Sequence, residues 1–267
     1  MSKYKLVKNK IGTILIIGSL IPIAISAQQG IYYFKRNNAA KKQSETIEQT
    51  IKDPQANNYP SNESHINKYD FEKLREINPD IIGVLEGDCF EGGYYPVISS
   101  ENYDDLNEKL SQDLNGEYSS AGLIIADPNN DENINGIYRI WGHHFKGEEE
   151  NGLMFSSLVN YDSDEYYQNH KTLKYYTENG EYILNIYACT KDNPIESEIL
   201  YETSAQEYID NNKNNSLIDT ELVPDITDRQ IVLTTCTRSG SQYEPDLRIS
   251  IHTIVTPVWE KDYNKTK

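Results

Sequence analysis

Eight short apolar runs, separated by glycine, asparagine and aspartate, are the feature that most constrains the fold of this chain. Runs of this length bounded by turn residues are typical of β-strands, and Asn179-Gly180 between two of them is a strong hairpin signal. The 21 tyrosines against 5 phenylalanines also favour half-buried strands. The pattern therefore predicts a mainly β domain, folded as a barrel or a sandwich. The runs cover residues 81–85, 94–98, 122–126, 137–141, 172–177, 182–188, 230–236 and 247–255.

Short helical segments interrupt these strands. Apolar residues with helical spacing over 71–77 end before Pro79, which stops a helix. Ser204 and Glu207 have the spacing of a capping box, which predicts a helix over 204–212. The domain is therefore predicted to be α+β, with a helix before the first strand and short helices in the connections. Further helical turns are expected over 102–112 and within 155–169.

A 17-residue apolar run, Ile11–Ala27, lies behind a head that contains four lysines. The run is at the low end for a membrane-spanning helix and somewhat long for the core of a signal peptide. Ile25-Ser26-Ala27 is a poor cleavage site, which favours an uncleaved anchor, although basic residues on both sides leave its orientation open. The predicted segments are a cytoplasmic tail (1–10), a transmembrane signal-anchor (11–30), an extracellular stalk (31–67), one folded domain (68–260) and a C-terminal tail (261–267).

Charge is divided sharply along the chain. Residues 1–42 contain no aspartate or glutamate, whereas residues 43–267 contain all 42 acids and only 17 of the 25 lysines and arginines. The second part therefore has a formal charge of −25. Because phosphate binding requires clustered lysine and arginine, this surface excludes nucleic acid as an expected partner.

The three cysteines do not have the spacing of a metal site, and their odd number leaves at least one thiol unpaired. Cys89 and Cys189 are expected to be small buried residues. Cys236 ends an apolar strand, and period-2 alternation places Val232 and Thr234 on the same face as its thiol. The sequence therefore predicts a thiol at the rim of the sheet, where a substrate has access to it.

A histidine and an arginine lie at comparable positions on other strands. His143 follows the strand 137–141, and Arg248 is at the beginning of the strand that follows Cys236. Histidine exchanges protons near neutral pH, and arginine binds a carbonyl oxygen or a developing oxyanion. The three residues could therefore supply a nucleophile, an acid/base and an electrostatic clamp. The pair His143-His144 could also suggest a metal, but no further ligands follow at zinc spacing, so neither metal nor cofactor is expected.

Three motifs resemble those of the sortases. Residues 232–236, Val-Leu-Thr-Thr-Cys, resemble the Thr/Val-Leu-x-Thr-Cys signature, and 247–249 resemble the strand with the essential arginine. Residues 141–145, Trp-Gly-His-His-Phe, resemble the Tyr-Gly-His-Asn-Met segment, which identifies His143 rather than His144 as the catalytic histidine. The similarity extends over about 69–256. Class B is favoured by the helical opening over 71–83 and by the long connection before Cys236 that carries a helix.

This resemblance implies an eight-stranded sortase-type β-barrel at 68–260, anchored in the plasma membrane of a Gram-positive bacterium with its catalytic domain outside. It implies that Cys236 attacks the carbonyl after threonine in a Pro-x-Thr-type sorting motif and forms a thioester, while His143 protonates the leaving amine and Arg248 holds the oxyanion. A peptidoglycan amine then accepts the surface protein.

The resemblance also leads us to expect substrate contacts. Thr234 and Thr235 precede the nucleophile, and Asn102 and Leu106 have a spacing similar to the family's Asn-x-x-x-Leu contact. An ordinary helix start and core residue would explain Asn102 and Leu106 equally well.

The chain departs from the family pattern at several points. Trp141 stands in place of tyrosine, His144 in place of asparagine, and 148–150 is a short acidic insertion. Arg238, two residues after the nucleophile, is a rival to Arg248. Two other functions stay open: another cysteine transpeptidase of the cell wall, such as an L,D-transpeptidase, and a tethered adhesin or binding module without enzymatic activity.

Overall fold

The computed structural model describes residues 2–51, 67–131, 134, 136–145, 147–192, 204–237 and 247–261, with side chains of the first helix from Ile25 onward. The helices are α1 (Ser2–Glu48), α2 (Phe71–Ile77), α3 (Tyr103–Lys109), α4 (Asp164–Asn169) and α5 (Ala205–Asn214), with 3-10 turns at Glu91–Gly93 and Ser156–Asp162. The strands are β1 (Ile81–Glu86), β2 (Tyr94–Ile98), β3 (Ile124–Ala126), β4 (Ile137–Trp141), β5 (Thr172–Thr177), β6 (Gly180–Asp192), β7 (Gln230–Thr237) and β8 (Leu247–Glu260).

The strands close into a barrel in the order β1-β2-β3-β4-β7-β8-β6-β5. The β2–β3 and β4–β7 pairs are parallel, and the other pairs are antiparallel. This architecture confirms the predicted eight-stranded barrel and decides between barrel and sandwich. A closed barrel pairs every strand on both sides, so no sheet edge is left unpaired.

Alternation along β7 decides which side chains fill the barrel. Ile231 and Leu233 belong to the large buried cluster inside the barrel, together with Ile140 of β4 and Ile249 and Ile251 of β8. The residues between them on these strands point to the other face, because successive side chains of a strand alternate. The outer face of β7 carries Val232, Thr234 and Cys236. Because the inner side chains pack in the core, the orientation of the strand is fixed, and with it the side on which Cys236 lies.

A second buried cluster joins the helices to the outside of the barrel. Phe71 and Leu74 of α2 and Leu106 of α3 pack there against Ile81 and Val84 of β1. Asp70 caps α2 by accepting a hydrogen bond from the Lys73 amide, and Ser204 and Glu207 form the predicted capping box of α5. The predicted helices 71–77 and 204–212 are therefore confirmed.

The N-terminal helix differs from the sequence-based expectation. Part of the segment predicted as a stalk, 31–67, packs on the barrel: Ala40, Gln43, Ser44 and Ile47 are buried. In the described part of the chain, no helix combines the length and the hydrophobicity needed to cross a bilayer. The anchor predicted over 11–30 therefore stays a prediction.

A buried polar network supports β8 from outside the barrel. Thr190 Oγ donates to Asp192 at 2.6 Å, so this hydroxyl accepts from His252 Nε2, which lies 2.9 Å away. The other ring nitrogen, Nδ1, lies 3.1 Å from the Tyr208 hydroxyl of α5 and accepts from it. Burial, together with the positive charge of Arg139, lowers the pKa of His252 to about 3. The folded protein therefore holds this imidazole neutral.

This network makes stability dependent on pH. An unfolded histidine binds a proton below pH about 6.5, whereas folded His252 stays neutral down to pH about 3, so protons favour the unfolded chain across that window. We expect the free energy of unfolding to fall by about 2 kcal/mol from this group between pH 7 and pH 5. Urea titrations at both pH values should show that His252→Gln loses this part of the pH dependence. An equal fall in His252→Gln and in the parent chain would contradict the assignment.

Candidate active site

Cys236 is the exposed thiol of this chain. It lies one residue before the end of β7, whereas Cys89 and Cys189 are buried. Burial raises the pKa of Cys89 to about 12 and that of Cys189 still further above its usual range. Because the thiolate is the reactive form of cysteine, burial makes Cys89 and Cys189 unreactive, and Cys236 is the thiol that a substrate can reach.

Arg248 lies directly opposite Cys236. The β7–β8 register pairs Cys236 with Arg248 and Thr234 with Ser250, so all four residues are on one face. Directly opposed residues of an antiparallel pair have Cβ atoms about 5 Å apart. The β7–β8 register thus places the Arg248 and Cys236 side chains next to each other on this face.

Trp141 holds the guanidinium in place. The Cζ atom of Arg248 lies 4.8 Å from the centre of the Trp141 ring, within the range of a cation–π contact. The indole Nε1 donates to Asp127 Oδ2 at 2.9 Å, which fixes the ring plane. Sequence reasoning noticed Trp141 only as a departure from the family pattern and missed Asp127. The signal available was the position of Trp141 at the end of β4, on the same strand face as the site.

His143 leaves the end of β4 beside the same rim. The Gly142 amide donates to Thr234 O at 3.2 Å, so His143 emerges at the level of Thr235 and Cys236. Its Nε2 lies 2.8 Å from the Leu110 carbonyl oxygen. A carbonyl can only accept, so Nε2 carries the proton of this hydrogen bond and the ring orientation is fixed.

Glycine is required at Gly142 because the backbone there passes close to an aromatic ring. A Cβ atom at this position would lie 2.7 Å from the Phe155 ring, and the Phe155 amide donates to His143 O at 3.0 Å. The turn therefore packs tightly enough to hold the histidine at the rim of the barrel.

The acidic insertion binds the second histidine. His144 Nε2 lies 3.0 Å from Glu149 Oε1, and the Gly147 amide donates to the other carboxylate oxygen of Glu149 at 2.6 Å. The side chain of His144 is 7% exposed. The two adjacent histidines thus have different environments. His143 is hydrogen-bonded to a backbone carbonyl at the rim of the barrel, whereas His144 contacts a carboxylate of the acidic loop.

The two threonines before Cys236 point in opposite directions. Thr234 is on the Cys236 face, where its Oγ lies 3.1 Å from Ser250 Oγ. Thr235 is buried on the other face, where its hydroxyl donates to Gly142 O at 2.8 Å. Thr235 therefore supports the turn before His143 and does not share the face of the thiol.

The other predicted substrate contacts lie on α3. Asn102 is the exposed cap of this helix and accepts from the Asp105 amide at 3.0 Å. Leu106 is 5% exposed and packs in the cluster between the helices and the barrel. Leu110 caps the C-terminal end of the same helix and its carbonyl accepts the hydrogen bond from His143, so α3 reaches the site through this end.

Arg238, the rival to Arg248, lies outside the described residues. Within the described ranges, no group of three or more histidine, cysteine, aspartate or glutamate side chains could hold a metal ion.

Comparison with known proteins gives the family. No protein-family model matches the chain. Sortase B of Staphylococcus aureus (strain NCTC 8325 / PS 47) is 30% identical over 180 residues, which are 64% of this chain and 69% of that protein. Sortase B of Listeria monocytogenes serovar 1/2a is 27% identical over 168 residues, 61% of this chain and 65% of that protein.

Solved structures agree in fold. The 2.0 Å crystal structure of S. aureus sortase B matches with a TM-score of 0.68 and 23% identity, over 83% of this chain and 99% of that one. At this identity the structural match shows the fold alone, and the sequence match over more than two thirds of the S. aureus protein shows the family. The chain belongs to the class B sortases and is a cysteine transpeptidase.

Proposed function

We propose that this transpeptidase cleaves a Pro-x-Thr-type sorting motif after threonine and joins the surface protein to a peptidoglycan amine. The observation that carries the proposal is the pairing of the exposed Cys236 with Arg248 across β7 and β8. A nucleophile beside a fixed positive charge is the arrangement that acyl transfer requires.

Each residue of the proposed site has one role. The Cys236 thiolate attacks the threonine carbonyl carbon, and the carbonyl oxygen becomes an oxyanion that the Arg248 guanidinium stabilises. The protonated His143 then donates a proton to the leaving nitrogen as the oxyanion collapses and the C–N bond breaks, which leaves a thioester and a neutral imidazole. An acceptor amine then attacks the same carbon, His143 takes its proton, and the thiolate leaves. Thr234 is buried on the same face beside Ser250 and is proposed to form the floor of the cleft.

Complexes of a relative support both partners. S. aureus sortase B has been solved with a substrate (TM-score 0.62, 22% identity) and sortase B has been solved with triglycine (TM-score 0.60, 23% identity). The first supports a peptide substrate for this chain, and the second supports an amine acceptor. A sorting-signal protein and a peptidoglycan amine are therefore the partners that we propose.

We further propose that residues 11–30 anchor the chain in the plasma membrane, with the N-terminus in the cytoplasm and the barrel outside. In support, α1 exposes Tyr32, Tyr33 and Phe34 (48%, 50% and 67% exposed) just after the apolar run, as in the aromatic belts of membrane proteins. Membranes washed with alkaline carbonate should retain the chain, and protease added to intact protoplasts should digest the barrel. Recovery in the soluble fraction, or protection from external protease, would contradict this topology.

The reaction is tested with the full chain in detergent. Incubation with a panel of Pro-x-Thr-x peptides and triglycine should give, by intact mass, an acyl adduct on Cys236 and then a peptide–triglycine product. The peptide that reacts identifies the motif. If no peptide in the panel forms an adduct, cleavage of a Pro-x-Thr-type motif by this transpeptidase is rejected.

Arg248→Lys should lower the acylation rate about a hundredfold, the effect of losing one oxyanion donor. Lysine keeps the charge but loses the planar group that stacks on Trp141. Arg229→Lys is the matched control, because Arg229 pairs with Glu260 at the other end of the β7–β8 hairpin.

Acylation rates are measured by stopped-flow with a fluorogenic peptide. Arg238→Lys should acylate within about threefold of the parent rate, because Arg248 is the proposed donor to the oxyanion. A hundredfold loss in Arg238→Lys with little loss in Arg248→Lys would reverse the assignment.

A further inference from the structure

The His143 imidazole lies in a pocket with Phe145 on one wall and Gly122 and the Leu110 carbonyl on the other. The barrel-facing side of α1 contacts both walls, although the proposed chemistry uses no residue of this helix. Its buried residues follow helical spacing, and those nearer the N-terminus approach the loop after His143. They are Arg36, Ala40, Gln43, Ser44 and Ile47.

One wall is reached through Arg36. Its guanidinium Nη2 donates to Glu148 Oε1 at 3.0 Å, and the amide of Asn37 donates to the same oxygen at 2.9 Å. The Cζ atom of Arg36 lies 4.2 Å from the centre of the Phe145 ring, and that ring lies 5.6 Å from the ring of His143. Arg36 therefore contacts both Phe145, which packs on the imidazole, and the acidic insertion that follows.

The other wall is reached through Gln43. Its side-chain amide donates to the Gly122 carbonyl at 2.7 Å, a buried contact. Gly122 has a φ of +67°, and a Cβ atom there would lie 2.9 Å from Cδ2 of His143. The same Cβ would overlap the Leu110 carbonyl oxygen that receives the His143 hydrogen bond. Gln43 thus fixes the backbone that forms the second side of the pocket.

The Arg36–Glu148 contact is strong for a loop contact. The side chain of Arg36 is 5% exposed and that of Glu148 14%, so water screens the pair poorly. Burial would raise the pKa of Glu148, but hydrogen bonds from Asn151 and Asn37 and the charge of Arg36 outweigh it and lower the pKa below its usual value. The carboxylate stays charged and the contact stays formed at neutral pH.

We propose that α1 is a positioning element for His143: Arg36 through Glu148 and Phe145, and Gln43 through Gly122, hold the two walls of the imidazole pocket. The proposal rests on the proposed role of His143 as proton donor and assigns a function to the acidic insertion. Under this proposal, the rate of proton transfer from His143 depends on the packing of α1 against the barrel.

The test uses Arg36→Ala in the full chain, with Lys35→Ala as a matched control. Lys35 is the exposed neighbour on the same helix, so its loss removes the same charge without a buried contact. Arg36→Ala should lower kcat for acylation about tenfold with KM within twofold, since the loss is in proton transfer rather than in peptide binding. Lys35→Ala should stay within twofold in both constants.

Two further measurements separate positioning from simple destabilisation. Glu148→Gln should also lower kcat. The double variant Arg36→Ala/Glu148→Gln should be no slower than the worse single variant, because both changes break the same Arg36–Glu148 contact. With ¹³C-labelled histidine, the His143 signal, assigned with His143→Ala, should shift in Arg36→Ala and not in Lys35→Ala.

A kcat within twofold of the parent in Arg36→Ala, whatever its melting temperature, would overturn the proposal, and so would multiplicative losses in the double variant. If Arg36→Ala does not fold, Gln43→Leu and Glu148→Gln provide the same comparison of kcat and KM. A parent chain that forms no acyl adduct would reject the proposed function instead, so the two failures are distinguishable.

Discussion

Cys236→Ala is expected to abolish the acyl-enzyme and to lower turnover by about ten-thousandfold or more, as removal of a covalent nucleophile does in other acyl-transfer enzymes. Stability should change little, because Cys236 is exposed and contributes little to the core. The free energy of unfolding should stay within about 1 kcal/mol of the parent value, which is typical of surface substitutions.

Thiol labelling provides the control for this variant. Iodoacetamide should modify one cysteine of the folded parent and none in folded Cys236→Ala, because burial protects Cys89 and Cys189 and raises the pKa of both. In denaturant, the parent should take up three equivalents and the variant two, one for each cysteine. Full turnover by Cys236→Ala would remove Cys236 from the mechanism.

His143→Ala should slow acylation by about a thousandfold, within the usual range for the loss of a general acid–base group. The thiol stays in place, so His143→Ala should still bind peptide, and its loss should appear mainly in kcat. Rapid-quench measurement of the acyl adduct gives this rate directly, without the later attack by the amine.

His144→Ala is the matched control for the adjacent position. Its imidazole contacts Glu149 in the acidic loop, so we expect a rate within about threefold of the parent and a small loss of stability. A thousandfold loss in His144→Ala together with near-parental rates in His143→Ala would exchange the two roles. Such a result would also contradict the alignment of 141–145 with the family segment.

Local pattern predicted the strands well and their ends less well. Strands β6 and β8 extend to Asp192 and Glu260, past the predicted ends at 188 and 255, because each pairs with the other along its whole length. In contrast, the strand predicted from 122 begins at Ile124, since the positive φ of Gly122 is incompatible with a strand. Strand ends thus depend on partners and on backbone turns, which apolar runs do not encode.

The domain start illustrates the same limit. Residues 31–67 are polar and are predicted to form a stalk, yet α1 packs on the barrel from Arg36 onward. Its contacts are mostly polar and distant in sequence: Arg36 with Glu148 and Gln43 with Gly122. A hydrophobicity pattern cannot show such contacts, because each residue of the pair is an ordinary polar residue within its own segment.

By itself, the sequence determined the barrel's strands, the face of β7 that carries Cys236, and the three motifs that resemble the sortases. Only the tertiary structure decided which strands are neighbours, that Arg248 is opposite Cys236, that Trp141 and Asp127 hold its guanidinium, and that Thr235 faces away. The physical reason is the distance along the sequence between the residues that interact. Strand periodicity is set by successive residues, whereas the site is formed by pairings between segments as far apart as Asp127 and Arg248, which exist only when the barrel closes.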